Sequence, residues 1–163
     1  MANKLVILFV FFLPLSSCGQ KNESLEEAVK ALYKNTVPLA SKTNAEEWKN
    51  AKILDSREPK EYEVSHLPEA RLVGYDDFDL NAVSNISKHD TIIVYCSVGY
   101  RSERIGEKLQ EAGFKHVFNL YGGIFNWKNQ DGLVVDSKND TTNRVHTYNK
   151  VWGLYLRKGE KVY

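Results

Sequence analysis

The feature that most constrains the fold is a continuous apolar run rich in β-branched residues, Thr91–Tyr95, which ends directly at Cys96. A run without polar alternation predicts a strand with both faces buried, as in the centre of a parallel sheet. In open parallel sheets, ligands bind beyond the carboxyl ends of the strands. The run therefore predicts a central strand and places Cys96 where a functional group would be expected.

Strand and helix patterns alternate along the rest of the chain. Ser24 and Glu27 form a capping box that opens a predicted helix, Pro59 fits the first turn of another, and Gly113 is a helix stop. The predicted helices are 25–34, a short one from 43 or 44 to 49, one from 59, one from 101 or 102 to 112, and one from 123. The predicted strands are 51–55, 71–73, 91–95, 117–120 and 133–135. This alternation predicts an α/β fold with a mostly parallel sheet.

The first 17 residues have the order of a signal peptide: a basic residue, a short apolar run, and small residues before Cys18. The letters LSSC that end at Cys18 resemble a bacterial lipobox, in which Cys18 becomes the lipidated N-terminus and residues 18–23 form a spacer. This predicts a membrane-anchored lipoprotein facing the periplasm or the cell exterior. The alternative is a plain secretory signal with a coincidental cysteine.

The chain has two cysteines, so lipidation of Cys18 would leave Cys96 as the remaining thiol. A free thiol is unusual in an oxidising compartment. Such a leftover cysteine indicates either intermolecular pairing or a reactive group. The alternative for Cys96 is a small buried cysteine that only packs.

Charge and histidine spacing exclude other classes of protein. The chain carries 22 basic and 21 acidic residues, which gives no basis for a nucleic-acid partner. Its four histidines stand at spacings that do not bring two metal ligands together. The sequence therefore predicts no metal and no cofactor.

The residues after Cys96 form a predicted anion-binding loop. A helix that begins near Arg101 or Ser102 would point its free N–H groups and positive dipole end toward the thiol, which favours the thiolate. Gly99 permits the tight turn of amides that such a loop requires. A nucleophile here could accept the outer sulfur of an anionic donor, or attack phosphate or arsenate. The candidate site comprises Cys96 as nucleophile and Ser97, Val98, Gly99, Tyr100, Arg101 and Ser102 as substrate-binding residues.

Three motifs in this chain resemble those of the rhodanese family over about 51–135. The upstream motif is DSREPKEY at 55–62 with SHLPEA at 65–70, the active loop is YCSVGYRS at 95–102, and the downstream motif is GGIFNW at 122–127. The resemblance implies a doubly wound α/β domain with a mostly parallel, five-stranded sheet flanked by helices.

We expect this domain to span 24–136. Asp55 and Arg57 are interpreted as structural support of the loop through hydrogen bonds. Residues 137–163 are dense in aromatic residues, so we expect Tyr148, Trp152 and Tyr155 of this C-terminal extension to pack back onto the domain near the active loop. The alternative is a strip that docks a partner.

The resemblance also implies that Cys96 forms a persulfide, which a thiol or cyanide then relieves. Four residues separate Cys96 from Arg101, the loop length of the family's sulfurtransferases; its phosphatases and arsenate reductases have one residue more. Well-studied members that use thiosulfate carry basic residues directly after the cysteine, whereas this chain has Ser97 and Val98. Thiosulfate and a persulfide both stay open as the sulfur donor.

Two questions stay open at this stage. Arg101 either contacts an anion through its planar guanidinium or forms a structural ion pair with Asp55 or Glu58. The protein is a sulfurtransferase, a non-enzymatic persulfide carrier or docking module, or an oxyanion enzyme, in decreasing order of support.

Overall fold

The structure is a computed structural model that describes residues 24–43 and 49–163. The predicted signal segment, Cys18 and residues 44–48 of the predicted second helix lie outside the described residues. Within the described ranges, no helix combines the length and apolar character needed to cross a bilayer.

Within the described residues, five parallel strands form one sheet in the order β1-β5-β4-β2-β3. These strands are β1 (Leu39–Ala40), β2 (Lys52–Asp55), β3 (Arg71–Leu72), β4 (Thr91–Tyr95) and β5 (His116–Leu120). Strand β4 lies in the centre, where Val94 is in register with Leu54 of β2 and Asn119 of β5. The predicted central strand and parallel sheet are confirmed.

The predicted strand at 133–135 is present but lies outside the five-stranded sheet. The predicted last strand is β6 (Val134–Val135), which pairs antiparallel with β7 (Thr141–Thr142) in a separate ribbon. The fifth position belongs instead to Leu39–Ala40, paired with β5 at the edge. A two-residue strand has no periodicity of its own, so its existence depends on contacts with β5.

Helices cover both faces of the sheet. They are α1 (Leu25–Leu32), α2 (Pro59–Val64), α3 (Tyr100–Glu111) and α4 (Gly123–Asn129), with 3-10 turns at Leu80–Val83 and Trp152–Tyr155. The capping box that opens α1 is confirmed: the Glu27 amide donates to Ser24 Oγ, and the Ser24 amide donates to the Glu27 carboxylate. Helix α3 begins one residue before the predicted start.

Alternating side chains of β4 divide the core in two. Ile93 and Tyr95 pack with residues of α1 and α4, while Ile92 and Val94 pack with residues of α3. All four side chains are buried, as expected for a strand whose successive residues point to opposite faces. This arrangement confirms the doubly wound sheet and leaves its carboxyl edge, where Cys96 lies, for a site.

The chain after residue 136 is joined to the same core. Strand β8 (Arg144–His146) pairs in parallel with β9 (Glu160–Val162), and β8 lies beside α2. Val145 and Leu156 are buried in the core that contains α1 and α4. These contacts pack the extension, 137–163, onto the domain.

Candidate active site

Cys96 follows the last residue of β4 and is 1% exposed. The Gly99 amide donates to Cys96 Sγ at 3.1 Å. Gly99 has a φ of 106°, a left-handed conformation that side chains other than glycine rarely adopt. The chain therefore turns sharply after Cys96, and helix α3 begins beside the sulfur with its positive dipole end.

Helix α4 holds the carbonyl groups of the loop. The Ile124 amide donates to the Cys96 carbonyl at 2.9 Å, and the Phe125 amide donates to the Ser97 carbonyl at 3.1 Å. A Cβ at Gly123 would overlap the Cys96 carbonyl. The glycine at this position therefore allows the backbone of α4 to approach the loop closely enough for these bonds.

Tyr33, from the segment after α1, holds the loop from a third direction. Its buried hydroxyl donates to the Val98 carbonyl at 2.8 Å and accepts from the Gly122 amide at 3.0 Å. Burial raises the pKa of Tyr33 well above its usual range. The hydroxyl therefore keeps its proton and remains a donor to the loop.

Glu61 of α2 connects Ser97 and Arg101. Arg101 donates to the two carboxylate oxygens of Glu61 at 2.7 and 2.8 Å, and Ser97 Oγ donates to Glu61 at 3.0 Å. Burial alone would raise the pKa of Glu61, but the hydrogen bond and charge of Arg101, followed by the charge of Arg57, lower it to about 2. Glu61 is thus ionised at neutral pH although its side chain is fully buried.

The structure thus shows Arg101 in an ion pair, but with a partner that the sequence did not indicate. The predicted partners, Asp55 and Glu58, do not take that role: Asp55 pairs with Arg57, and Glu61 reaches Arg101. The reason is local, since the Glu61 side chain also accepts from the Glu58 amide and is thereby turned inward at the start of α2. The Arg101 side chain keeps 17% exposure.

Asp55 and Arg57 form a fully buried ion pair that braces the site, with Arg57 donating to Asp55 at 2.6 and 2.9 Å. Arg57 also donates to the Ser65 carbonyl, and the Tyr95 hydroxyl donates to Asp55 at 2.6 Å. Tyr95 immediately precedes Cys96. The Asp55–Arg57 pair therefore holds the end of β4, next to Cys96, through Tyr95.

Ser102 has a bracing contact as well. Its hydroxyl donates to the Asn119 side chain at 2.6 Å, and that side chain donates to the Gly99 carbonyl at 3.0 Å. Both Ser102 and Asn119 are completely buried. Among the predicted substrate-binding residues, Gly99 and Ser102 thus shape the loop, whereas Ser97, Val98, Tyr100 and Arg101 line a pocket with Cys96.

This pocket has a volume of about 580 Å³. Two of its walls come from outside the loop: Leu32 at the end of α1, and Tyr148 and Trp152 of the C-terminal extension. The guanidinium of Arg101 lies 5.9 Å from the centre of the Tyr148 ring, within range of a cation–π contact. The extension therefore takes part in the pocket.

The backbone at Tyr148 is held in a left-handed conformation, with a φ of 65°. Such a conformation costs about 1 kcal/mol for a residue with a side chain. The Tyr148 amide donates to Nδ1 of His146 at 3.0 Å, and burial lowers the pKa of His146, which favours the neutral ring that can accept. The bond to His146 thus holds the backbone of Tyr148 in the conformation that places its ring near Arg101.

Sequence reasoning missed two bracing residues of this site, Glu61 and Tyr33. Glu61 lies inside the upstream motif, so its motif position was the available signal. The aromatic density of the extension predicted that Tyr148, Trp152 and Tyr155 pack near the cysteine loop, and two of these residues, Tyr148 and Trp152, line the pocket. In the ranges 24–43 and 49–163, no group of three or more His, Cys, Asp or Glu side chains is arranged to hold a metal ion.

Fold and site together define a class: an α/β domain that presents one cysteine in an amide-lined loop at the carboxyl edge of a parallel sheet. The family model for the rhodanese-like domain matches residues 39–130. The chain belongs to the rhodanese-like domain family.

Known proteins similar to this chain support the same family. It is 31% identical over 88 residues to "Putative sulfur carrier protein YrkF" of Bacillus subtilis, covering 54% of this chain and 47% of that protein. The rhodanese-like domain of an Anabaena protein, solved by NMR, is 28% identical with a TM-score of 0.55 over 61% of this chain and 79% of that one.

A thiosulfate sulfurtransferase from Pseudomonas aeruginosa has the same fold, with a TM-score of 0.58 at 20% identity, over 74% of this chain and 24% of that one. This chain spans less than half of the length of such curated relatives.

Proposed function

We propose that the protein is a sulfurtransferase in which Cys96 takes up a sulfane sulfur as a persulfide and passes it to a thiol or cyanide acceptor. The observation that supports this most directly is the Gly99 amide, which donates to Cys96 Sγ at the start of α3. A hydrogen bond to the sulfur and the nearby helix dipole both stabilise negative charge there. The same groups would stabilise a terminal persulfide sulfur.

The reaction balances without an oxidant. The Cys96 thiolate attacks the terminal sulfur of a donor R–S–SH, the donor S–S bond breaks, and its electron pair leaves on R–S⁻. An acceptor thiolate then attacks the terminal sulfur of the Cys96 persulfide. That S–S bond breaks in turn, which returns the Cys96 thiolate and leaves a persulfide on the acceptor.

A second candidate is a persulfide carrier that delivers its sulfur to one partner without turnover on small acceptors. Two observations favour it: the charge of Arg101 is already matched by Glu61, and Ser97 and Val98 stand where thiosulfate-using relatives are basic. The name of the Bacillus subtilis relative also describes a sulfur carrier.

The decisive experiment is the intact mass of the full chain after incubation with thiosulfate or with an organic persulfide. A gain of one reducible sulfur that is lost in Cys96→Ser supports persulfide chemistry at Cys96. Repeated turnover with cyanide or a small thiol would support the transferase, and a single loading event would support the carrier. No gain with any donor would exclude both.

For the cellular location we propose a lipid anchor on Cys18, with the domain facing the periplasm or the cell exterior. Support comes from the order of basic, apolar and small residues that ends at Cys18. Metabolic labelling with a radioactive fatty acid tests this directly. Label should appear on the native chain and be absent from Cys18→Ser; equal labelling of both would contradict the anchor.

A further inference from the structure

We propose that the pocket beside Cys96 selects an organic sulfur compound with an apolar, preferably aromatic, body and at most one negative charge, in preference to an inorganic dianion. Tyr148 and Trp152 of the C-terminal extension are the residues that determine this selectivity. The inference rests on the sulfur transfer proposed above and names its substrate class.

The size and the lining of the pocket both fit an organic ligand. A volume of about 580 Å³ lies in the range of clefts that hold organic ligands, about 300–1,000 Å³. Half of its twelve described lining residues are aliphatic or aromatic. The side chains concerned are Leu32, Tyr75, Val98, Tyr100, Tyr148 and Trp152. A small, fully hydrated inorganic anion would leave most of this surface without a partner.

The charged residues around the pocket balance one another, which disfavours a dianion. Among the described lining residues, the basic Lys60 and Arg101 are balanced by the acidic Glu58 and Asp76. Arg101 is in addition bound at two points by Glu61. Removing a dianion from water into such a site is unfavourable because there is no excess of positive charge to replace its hydration.

The position of the two aromatic rings supports their assignment to selectivity. Trp152 is partly buried against the core and its ring lies 5.7 Å from that of Tyr155. The centre of the Tyr148 ring lies 5.9 Å from the Arg101 guanidinium. Both rings lie outside the residues matched by the family model, 39–130. The selectivity is thus a property of this chain's extension and not of the cysteine loop itself.

Three sulfur donors distinguish the effect of an aromatic ring on the loading rate from the effect of the donor's charge. They are thiosulfate, methanethiosulfonate and benzenethiosulfonate. Each delivers the same atom. The Cys96 thiolate attacks the outer sulfur, the S–S bond breaks, and sulfite or the corresponding sulfinate leaves with the electron pair, so a persulfide anion forms on Cys96. Thiosulfate is a small dianion, methanethiosulfonate a small monoanion, and benzenethiosulfonate a monoanion with an aromatic body.

The experiment measures second-order rates of Cys96 persulfide formation with the three donors on the full chain. Because the uncatalysed reactivities of the donors differ, each rate is divided by that of a free low-molecular-weight thiol with the same donor. We expect the order benzenethiosulfonate, methanethiosulfonate, thiosulfate. Trp152→Ala should lower the ratio of the benzenethiosulfonate rate to the methanethiosulfonate rate about fivefold, as for loss of one aromatic contact.

Two further variants keep the test independent of folding. Tyr148→Gly accepts the left-handed backbone at that position and should lower the same ratio. Leu154→Ala, in the same turn as Trp152 but 73% exposed, should keep the native ratio.

The outcomes separate this inference from the proposed function. If all three donors load Cys96 but thiosulfate has the highest normalised rate, the proposed substrate class is wrong and the sulfur transfer stands. The same conclusion follows if Trp152→Ala and Tyr148→Gly both keep the native ratio. If no donor loads Cys96, the proposed function itself fails.

Discussion

Arg101 and Glu61 are joined by two hydrogen bonds of 2.7 and 2.8 Å, between a guanidinium that borders the pocket and a carboxylate that is fully buried. The pair connects α3 with α2, and Ser97 Oγ lies within hydrogen-bonding distance of both residues. The position of the loop therefore depends on a charge located on another helix.

Replacing Glu61 with Gln should destabilise the protein, because Arg101 loses its counter-charge while remaining largely buried. We expect a loss of about 2 kcal/mol, less than for a fully buried pair because Arg101 keeps some access to water. Denaturant unfolding measures it. Glu63→Gln, an exposed position on the same helix, serves as control, and an equal effect of both substitutions would contradict the role of the ion pair.

The same carboxylate predicts a dependence of stability on pH. The pKa of Glu61 is about 2 in the folded protein, against an ordinary value of 4.5. The unfolded chain therefore binds the proton first as the pH falls, and the stability that Glu61 contributes, present above about 4.5, is lost toward 2. The difference in free energy of unfolding between the native chain and Glu61→Gln should narrow across this interval. A difference that stays constant would show that the ionisation of Glu61 is not involved.

Tyr33→Phe should slow sulfur loading as well as reduce stability. It leaves the Val98 carbonyl and the Gly122 amide without their shared hydroxyl, at a cost of about 1–3 kcal/mol. Tyr62→Phe is the matched comparison, since its hydroxyl donates to the Ala70 carbonyl away from the cysteine loop. It should lower stability without a comparable loss of loading rate; parallel loss in both variants would mean that Tyr33 acts only through the fold.

Gly99→Ala and Gly113→Ala form a second informative pair. Both glycines have a left-handed backbone conformation, with φ of 106° and 91°. A Cβ at Gly99 would overlap the Tyr33 hydroxyl, whereas a Cβ at Gly113 would meet open space. We expect a loss of about 1 kcal/mol for Gly113→Ala, and of about 2–4 kcal/mol with loss of loading for Gly99→Ala. Equal losses in stability, measured by thermal unfolding, would be evidence against the close approach of Tyr33.

The sequence predicted those parts of the fold that depend on local chemistry. The apolar run 91–95 forms the central strand, the capping box of Ser24 and Glu27 opens α1, and Pro59 begins α2. Each of these signals is contained in a few consecutive residues. The edge strand Leu39–Ala40 was missed because its two residues are defined by hydrogen bonds to β5, far along the chain.

The same distinction holds for the candidate site. The cysteine loop could be placed from its own residues, since a strand, a glycine and a helix start follow one another within it. The partner of Arg101 could not, because Glu61 is 40 positions away and becomes its neighbour only when α2 packs against the loop. The backbone conformation of Tyr148 is a further case. A left-handed φ is disfavoured by the local sequence and is set by contacts with the surrounding residues.

The pocket walls at Leu32 and at 148–152 come from segments that precede and follow the family-matched residues. Mutations at these pocket-wall residues can therefore alter which molecule is accepted while the nucleophile and its amides stay intact. Reactivity and selectivity can then evolve at different rates, and the extension is the natural place for a directed-evolution library aimed at new sulfur donors or acceptors.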